Sequence, residues 1–95
     1  MQANAIYPAV FYYEENGFTI IFPDFDSGTD GQDLADAMYN AQELLDSLVA
    51  YYLDEDKTLP KPSSSDNLPV DPDFEGYKYF TTLFTTNPLR FSERS

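Results

Sequence analysis

The sequence predicts a small α+β domain with the element order β-β-β-α-β, in which one helix packs on an antiparallel sheet. Three observations lead to this fold class. Two β-prone runs are joined by an Asn-Gly turn, an amphipathic helix follows them, and another β-prone run lies near the C-terminal end. A chain of 95 residues forms one domain with a modest core and has no room for a deep enzymatic cleft.

The first two strands are predicted at residues 5–13 and 18–22, on either side of a turn that ends in Gly17. Asn-Gly is a strong hairpin signal because both residues tolerate positive φ. Pro8 cannot donate a ladder hydrogen bond, so its end of the first strand is expected at an edge or beside a bulge. Both faces of the second strand are largely apolar, which predicts cover on both sides. In so small a chain the second cover can be another subunit.

The helix is predicted after a loop at residues 24–32, which has room for a short third strand around residues 27–30. Asp33 fits an N-cap, and the helix is expected to end near Leu53. Asp36, Gln42, Glu43 and Asp46 fall outside a single apolar stripe. The stripe contains Leu34, Ala37, Met38, Ala41, Leu44, Leu45, Leu48, Val49 and Tyr52.

The remainder of the chain is a Pro- and Ser-rich connection at residues 54–76, a last strand at 77–86 and a short tail at 87–95. The prolines prevent a long regular element, so the connection is expected to run along the surface. The last strand is rich in aromatic residues and Thr, with Phe80 and Phe84 on the same face. Residues 1–95 are therefore interpreted as a single domain.

Composition limits the chemistry that this chain can perform. The sequence contains no His and no Cys, so the common nucleophile–base pairs, disulfides and thiolate metal sites are excluded. The loop acids do not fit an EF-hand, because Thr29 and Ala35 stand where Gly and Glu are required. No catalytic residue, metal site or cofactor is predicted. The sequence has neither an apolar run of membrane-spanning length nor a signal peptide, so residence in the cytoplasm is expected.

Charge is the strongest compositional signal. The formal net charge is -12, and no Lys, Arg or His precedes Lys57. Phosphate binding needs Lys and Arg, so this chain alone is not expected to bind nucleic acid. An acidic surface suits either plain solubility or fast, salt-sensitive docking to a basic protein. Composition leaves both interpretations open.

An ordered set of short motifs resembles the HicB antitoxin family. The set spans residues 7–63 and is fairly specific as a whole, although each piece is weak. Its pieces are Tyr7-Pro8, an acidic hairpin turn ending in Gly17, FPDF at Phe22 to Phe25, Thr29, Gly31, a capping residue at Asp33, Leu34, Ala37 and the apolar helix, and LPKPS at Leu59 to Ser63.

The resemblance implies a partial RNase H-like β-β-β-α-β domain that binds and silences HicA, a small basic toxin that cleaves mRNA, while self-associating. Many family members also carry a C-terminal domain that binds the operator. Only four residues follow Phe91 here, so the resemblance does not extend to that domain. Either the protein lacks DNA binding or these residues belong to a longer one.

Two groups of residues are candidates for contacts with other proteins. Carboxylates of the loop and of the helix end are candidates for binding a basic toxin: Asp24, Asp26, Asp30, Asp54, Glu55 and Asp56. Loop turns, helix capping and solvated charge are the alternative explanations of these acids. Side chains of the last strand are candidates for self-association: Tyr79, Phe80, Leu83 and Phe84. Their alternative role is to complete the sheet of their own chain.

These observations predict an antitoxin-type domain that neutralises a HicA-like toxin and forms a homodimer or a larger homo-oligomer. The alternative is a stand-alone dimerisation or interaction module without a toxin partner. A metal-dependent hydrolase on an RNase H-like scaffold is disfavoured, because the strands carry apolar and hydroxylic side chains in place of acids facing a cleft.

Overall fold

The computed structural model describes residues 5–69 and 71–86, which form four strands and one long helix. In chain order these are β1 (Ile6–Glu14), β2 (Gly17–Phe22), β3 (Ser27–Gly31), α1 (Leu34–Asp54) and β4 (Tyr79–Thr85). All neighbouring strands are antiparallel, and their order across the sheet is β3-β2-β1-β4. The α+β class and the predicted order of elements are confirmed.

The β1–β2 hairpin closes through a two-residue loop, with Glu14 paired to Gly17. The positive φ of this turn lies at Gly17, at 149°, and Asn16 is not in a left-handed conformation. A Cβ atom at position 17 would also lie 2.2 Å from the carbonyl oxygen of Gly31. The turn therefore needs glycine both for its backbone conformation and for the close approach of β3.

Pro8 lies in a central strand at the point where only one side of that strand is paired. Tyr13 donates its N–H to the carbonyl of Lys78 at 2.9 Å, so the odd-numbered residues of β1 direct their backbone groups toward β4. The nitrogen of Pro8 therefore faces the β2 side. Pairing with β2 has ended before that point, because the last partners are Val10 and Ile21. Pro8 was predicted at an edge, and it does have an unpaired side, toward β2. Its other side is paired with β4, so Pro8 is not in an edge strand.

Helix α1 packs on the β2–β3 half of the sheet through small and aliphatic side chains. Asp33 is the N-cap, as predicted, and accepts a hydrogen bond from the N–H of Asp36 at 2.8 Å. A Cβ atom on Gly31 would lie 2.4 Å from the backbone nitrogen of Ala37, so glycine permits the helix to touch β3. The core contains residues from both layers: Tyr7, Ala9, Phe11, Ile20, Phe22, Phe25, Ala37, Ala41, Leu45, Val49 and Phe84.

Three side chains of the helix depart from the predicted stripe. Leu34 and Met38 were expected in the core but are 49% and 38% exposed. Leu34 lies in the first turn, before the contact of the helix with the sheet begins at Ala37. Met38 follows Ala37, and its exposure is not explained by that boundary. Asp46 was expected outside the stripe but is buried. Its carboxylate accepts a hydrogen bond from Gln42 Nε2 at 3.1 Å, and the same nitrogen donates to the carbonyl of Thr85. This side of the helix therefore faces the end of β4.

The second face of the sheet is covered by the chain's own connection. The ring of Phe74 stacks on Tyr12 with 4.4 Å between ring centroids, and the N–H of Asp71 donates to the Tyr12 hydroxyl at 3.3 Å. Tyr12 and Val10 are buried as a result. The centre of this face is therefore covered by residues 64–69 and 71–77 of the same chain, so it does not need the second subunit that was considered as its cover. Exposed apolar side chains remain at its β4 margin, at Ile6, Tyr79 and Leu83.

Candidate partner-binding surface

Four of the six predicted partner-binding acids lie on two segments that meet at one end of the molecule, which we name the carboxylate end: Asp24, Asp54, Glu55 and Asp56. The ring of Phe25 contacts that of Tyr52 with 5.5 Å between centroids, and this contact fixes the short loop after β2 against the last turns of α1. Acids that are 30 residues apart in sequence are thereby presented together. The two segments are held together by this contact between aromatic rings, and the acids are not needed for it.

The helix ends in a Schellman motif that has an aspartate where glycine is usual. Lys57 donates its N–H to the carbonyl of Tyr52 at 2.8 Å, and Asp56 donates to that of Leu53 at 3.2 Å. Asp56 adopts a left-handed conformation with φ at 56°. That conformation is unfavourable for most residues with a Cβ atom, although Asp and Asn tolerate it better than others. The end of the helix therefore carries a carboxylate at a position where glycine would be more stable.

The electrostatic setting of these three acids is unfavourable within the chain itself. Asp54, Glu55 and Asp56 are exposed and follow the last turn of a helix, whose dipole places negative potential there. The ammonium group of Lys57 lies over the rings of Tyr51 and Tyr52, 5.3 and 5.9 Å from their centroids. Between residues 5–69 and 71–86 no ion pair offsets the charge of the three acids, so they remain available to an external cation.

Asp24 differs from the other acids because it holds the chain together. Its carboxylate accepts hydrogen bonds from the backbone N–H of Ser63, at 2.9 Å, and from the Ser63 hydroxyl. Nearby, Tyr7 donates its hydroxyl to the carbonyl of Pro60 at 2.6 Å. Burial raises the pKa of the Tyr7 hydroxyl above its ordinary value of 10.0, and the negative charge of Asp24 and the proximity of Tyr52 raise it further. Asp24 therefore has a structural role in fixing the connection.

Asp26 and Asp30 occupy different surroundings. Asp26 is exposed, in a left-handed conformation with φ at 52°, and lines a pocket with Asp71 and Pro72 on the face of the sheet away from α1. Asp30 lies on β3, away from that end, where its carbonyl accepts a hydrogen bond from Asn40 Nδ2 at 2.9 Å. Together with Glu14 and Glu15 of the hairpin, Asp30 lines an open groove of about 520 Å³. Sequence reasoning missed this groove, because only the strand register brings these acids together.

The remaining loop acids serve as helix caps. Asp33 caps Asp36, and the Asp36 carboxylate accepts the N–H of Gln32 at 2.9 Å, which supports the predicted capping role. In the part of the chain that the structure describes, no group of three or more potential ligands is placed to hold a metal ion. Within those same residues, no helix has the length and apolar character needed to span a bilayer.

The four candidates for self-association divide between the core and the surface. Phe84 is buried, and Phe80 is half-buried against Phe11 with 4.9 Å between ring centroids. These two rings therefore complete the core of their own chain. Tyr79 and Leu83 lie on the opposite face of β4 and are 50% and 55% exposed. Only this second pair is accessible to another molecule.

Comparisons with known proteins agree on one family. Residues 6–70 match the model of a HicB-like antitoxin of bacterial toxin–antitoxin systems. The chain is 31% identical over 65 residues to Antitoxin HicB 2 of Photorhabdus laumondii, and the match covers 67% of this chain and 47% of that protein. The chain thus spans about half the length of this curated relative.

A solved structure shares the fold. A chain of a toxin–antitoxin complex from Streptococcus pneumoniae superimposes with a TM-score of 0.79 at 27% identity, covering 94% of this chain and 73% of that one. The residues that match the family model, 6–70, include the motifs that pointed to this family. The chain therefore belongs to the HicB-like antitoxin family of bacterial toxin–antitoxin systems.

Proposed function

We propose that this chain is an antitoxin that neutralises a small basic toxin of the HicA type, and that the toxin docks at the carboxylate end. The observation that carries the proposal is the end of helix α1, where Asp54, Glu55 and Asp56 are placed against the helix dipole and Asp56 replaces the usual glycine. Unfavourable backbone geometry of this kind is commonly retained for function. Family membership and the net charge of -12 support a basic protein as partner.

The surroundings of the three acids fit a protein contact. Tyr51 and Leu53 are about half exposed beside them, and aromatic or aliphatic side chains ringed by charge are typical of binding centres. The carboxylates then act at long range: they attract a basic toxin before contact and so raise the rate of association. Asp24 contributes less, because its oxygens already accept hydrogen bonds from Ser63.

The experiment replaces the three acids without changing their size. The triple variant Asp54→Asn, Glu55→Gln, Asp56→Asn is expected to fold normally, because exposed substitutions of this kind cost under ~0.5 kcal/mol. Its association rate with a cognate HicA-like protein, measured by stopped-flow mixing or surface plasmon resonance, should fall by about tenfold at low salt. Its rate should also depend less steeply on ionic strength than that of the unmodified chain.

A matched control removes the same amount of charge elsewhere. Asp66, Asp73 and Glu75 are exposed and lie outside both the carboxylate end and the groove beside Asp30, so the variant Asp66→Asn, Asp73→Asn, Glu75→Gln should bind almost as fast as the original. Equal slowing by both triple variants would show that only total charge matters, and the specific docking surface would be withdrawn. In that case the groove beside Asp30 would be the next surface to test.

A second candidate function is that of a dimerisation module without a toxin partner. The exposed pair Tyr79 and Leu83 on β4 favours it, since these side chains are not needed by the core of their own chain. The two functions are compatible in one molecule, because β4 and the carboxylate end are different surfaces. If no basic protein of the HicA type binds this chain, the dimerisation module remains as the function.

A further inference from the structure

The outer edge of β4 offers backbone groups that no described residue uses along most of its length. Since Tyr13 and Ala5 bond to Lys78 and Thr86, even-numbered residues of β4 direct their N–H and C=O groups toward β1. The groups of Tyr79, Thr81, Leu83 and Thr85 therefore point outward. Of these four, only Thr85 has a described partner: its carbonyl accepts Gln42 Nε2 at 3.1 Å.

The sequence of β4 lacks the features that usually protect such an edge. Exposed edge strands are commonly blunted by charged side chains, proline or a bulge. β4 reads YFTTLFT, without charge or proline, and pairs with β1 in an uninterrupted register of seven residues. β4 itself adds no negative charge to a chain whose net charge is -12, although Asp66 of the connection lies beside Tyr79 and Thr81. The nearest charge in sequence is that of Lys78, which is positive.

We propose that two copies of this chain pair through the outer edges of β4, antiparallel and centred on Thr81, so that two four-stranded sheets become one of eight strands. Thr81 then faces its own counterpart, and Tyr79 lies opposite Leu83 of the other copy. In this register the outward backbone groups of Tyr79, Thr81 and Leu83 pair with the second copy. Thr85 does not take part, because its carbonyl already accepts a hydrogen bond from Gln42. It also places the two exposed apolar side chains of one face, Tyr79 and Leu83, directly across from each other.

The proposal commits to a second copy because the edge is complementary to itself. In an antiparallel two-fold pair, a residue on one side of the centre meets the residue equally far on the other side in the second copy. Tyr79 and Leu83 lie two residues on either side of Thr81, so the same contact between them is made twice. The contact is small compared with a standard interface, so association is expected in the micromolar range. It is independent of toxin binding and is tested on the purified chain alone.

The first experiment measures the oligomeric state. Sedimentation of the full chain at increasing micromolar concentration should show a monomer–dimer equilibrium. Leu83→Lys should weaken the dimer by about tenfold or more, because it places a positive charge in each half of the paired edge. Tyr39→Lys is the matched control: Tyr39 is 65% exposed on the helix, and its replacement should leave the equilibrium unchanged. Circular dichroism checks that both variants remain folded.

The second experiment tests the register by cysteine cross-linking. The natural sequence contains no Cys, so any disulfide must form between the introduced residues. In the proposed pairing the two Thr81 Cα atoms lie ~5.5 Å apart, within the ~4.4–6.8 Å range of disulfides. Thr81→Cys should therefore form disulfide-linked dimers under mild oxidation. Thr85→Cys should not, because the two positions would be roughly 27 Å apart at ~3.4 Å per residue.

Three results would overturn the proposal. A chain that stays monomeric throughout the micromolar range does not pair through β4. A dimer that Leu83→Lys leaves intact is formed by another surface. Preferential cross-linking of the Leu83→Cys or Thr85→Cys variant over Thr81→Cys means a different register from the one stated.

Discussion

The two edges of the sheet differ in composition and in what lies beside them. β3 carries Asp30 and two glycines, and helix α1 approaches it so closely that its backbone touches Gly31 and Asn40 bonds to the carbonyl of Asp30. β4 is uncharged and rich in aromatic residues and Thr, and its centre has no described partner on the outer side. The comparison shows that only one edge is protected against pairing with another strand. The unprotected β4 edge is therefore the edge of the sheet at which a strand from another molecule can pair.

The largest expected effect comes from breaking the contact that protects the β3 edge. Gly31→Val places side-chain atoms where the helix backbone at Ala37 already lies, so the helix and strand must separate. We expect the free energy of unfolding, measured in urea, to fall by ~3 kcal/mol or more. Gly76→Ala is the control: its Cβ meets open space, and only the positive φ of 89° opposes it, at a cost of about 1 kcal/mol. Similar losses in both variants would refute the close-packing explanation.

A second test uses pH to probe the β1–β4 side of the sheet, where Tyr7 pairs with Phe84. Burial, Asp24 and Tyr52 raise the pKa of Tyr7 above 10.0, so the folded chain keeps this proton at a pH at which the unfolded chain has lost it. The contribution of Tyr7 is therefore fully present below about pH 10 and decreases as pH rises through the raised pKa. Unfolding between pH 8 and 12 should show this decrease, and Tyr7→Phe should make it shallower.

In the Tyr7→Phe variant the loss of the hydrogen bond to Pro60 is expected to cost ~1 kcal/mol at neutral pH. Tyr39 is 65% exposed, so Tyr39→Phe serves as the control and should leave the alkaline profile unchanged. An identical alkaline slope in the Tyr7→Phe variant and the original chain would show that Tyr7 does not govern it.

A stabilising change is expected at the helix end, away from both edges. Asp56→Gly removes a Cβ atom from a left-handed position and a negative charge from the negative end of the helix dipole. We expect a gain of ~0.5–1 kcal/mol in the free energy of unfolding, together with slower toxin association. Glu55→Gly, at a position with φ of -89°, is the control and should destabilise. A loss of stability in Asp56→Gly would mean that Asp56 makes a favourable contact within the chain.

Asp30→Val is expected to have the smallest effect on stability, and it tests the difference between the β3 and β4 edges most directly. The side chain is exposed, so the free energy of unfolding should change by less than ~0.5 kcal/mol. Removal of the charge makes the β3 edge resemble that of β4, and light scattering should detect new association at high concentration. Asp30→Asn, which removes the charge but adds no apolar surface, should associate less than Asp30→Val. If Asp30→Val stays as dispersed as the original, the helix alone protects that edge.

Local patterns in the sequence were sufficient for the elements of this fold. The hairpin, the short third strand, the Asp33 cap and the helix follow from alternation, turn residues and capping chemistry, which act over a few positions. The ordered motifs also led to the correct family. The exposure of Leu34 did not follow from them, because periodicity gives the direction of a side chain and not the place where the sheet stops covering it.

The cover of the second face and the role of Asp24 were beyond local patterns. The connection has no periodicity, so nothing in its composition showed that Phe74 and Asp71 would lie on Tyr12. Asp24 appeared as one acid among several, and its bond to Ser63 spans 39 positions. A count of carboxylates cannot separate one that holds the chain together from one that faces solvent. Only contacts distant in sequence make that distinction.

The pairing of β4 with β1 has a consequence for the order in which the chain folds. The bond between Ala5 and Thr86 joins residues 81 positions apart, whereas β1, β2, β3 and α1 follow one another along the first part of the chain. Closing so long a loop is entropically costly, so β4 is expected to join last. Until it does, β1 is itself an open edge. The bonds from the connection to Tyr7, Asp24 and Tyr12 divide that loop into shorter ones, so less of it remains to be closed when β4 pairs with β1.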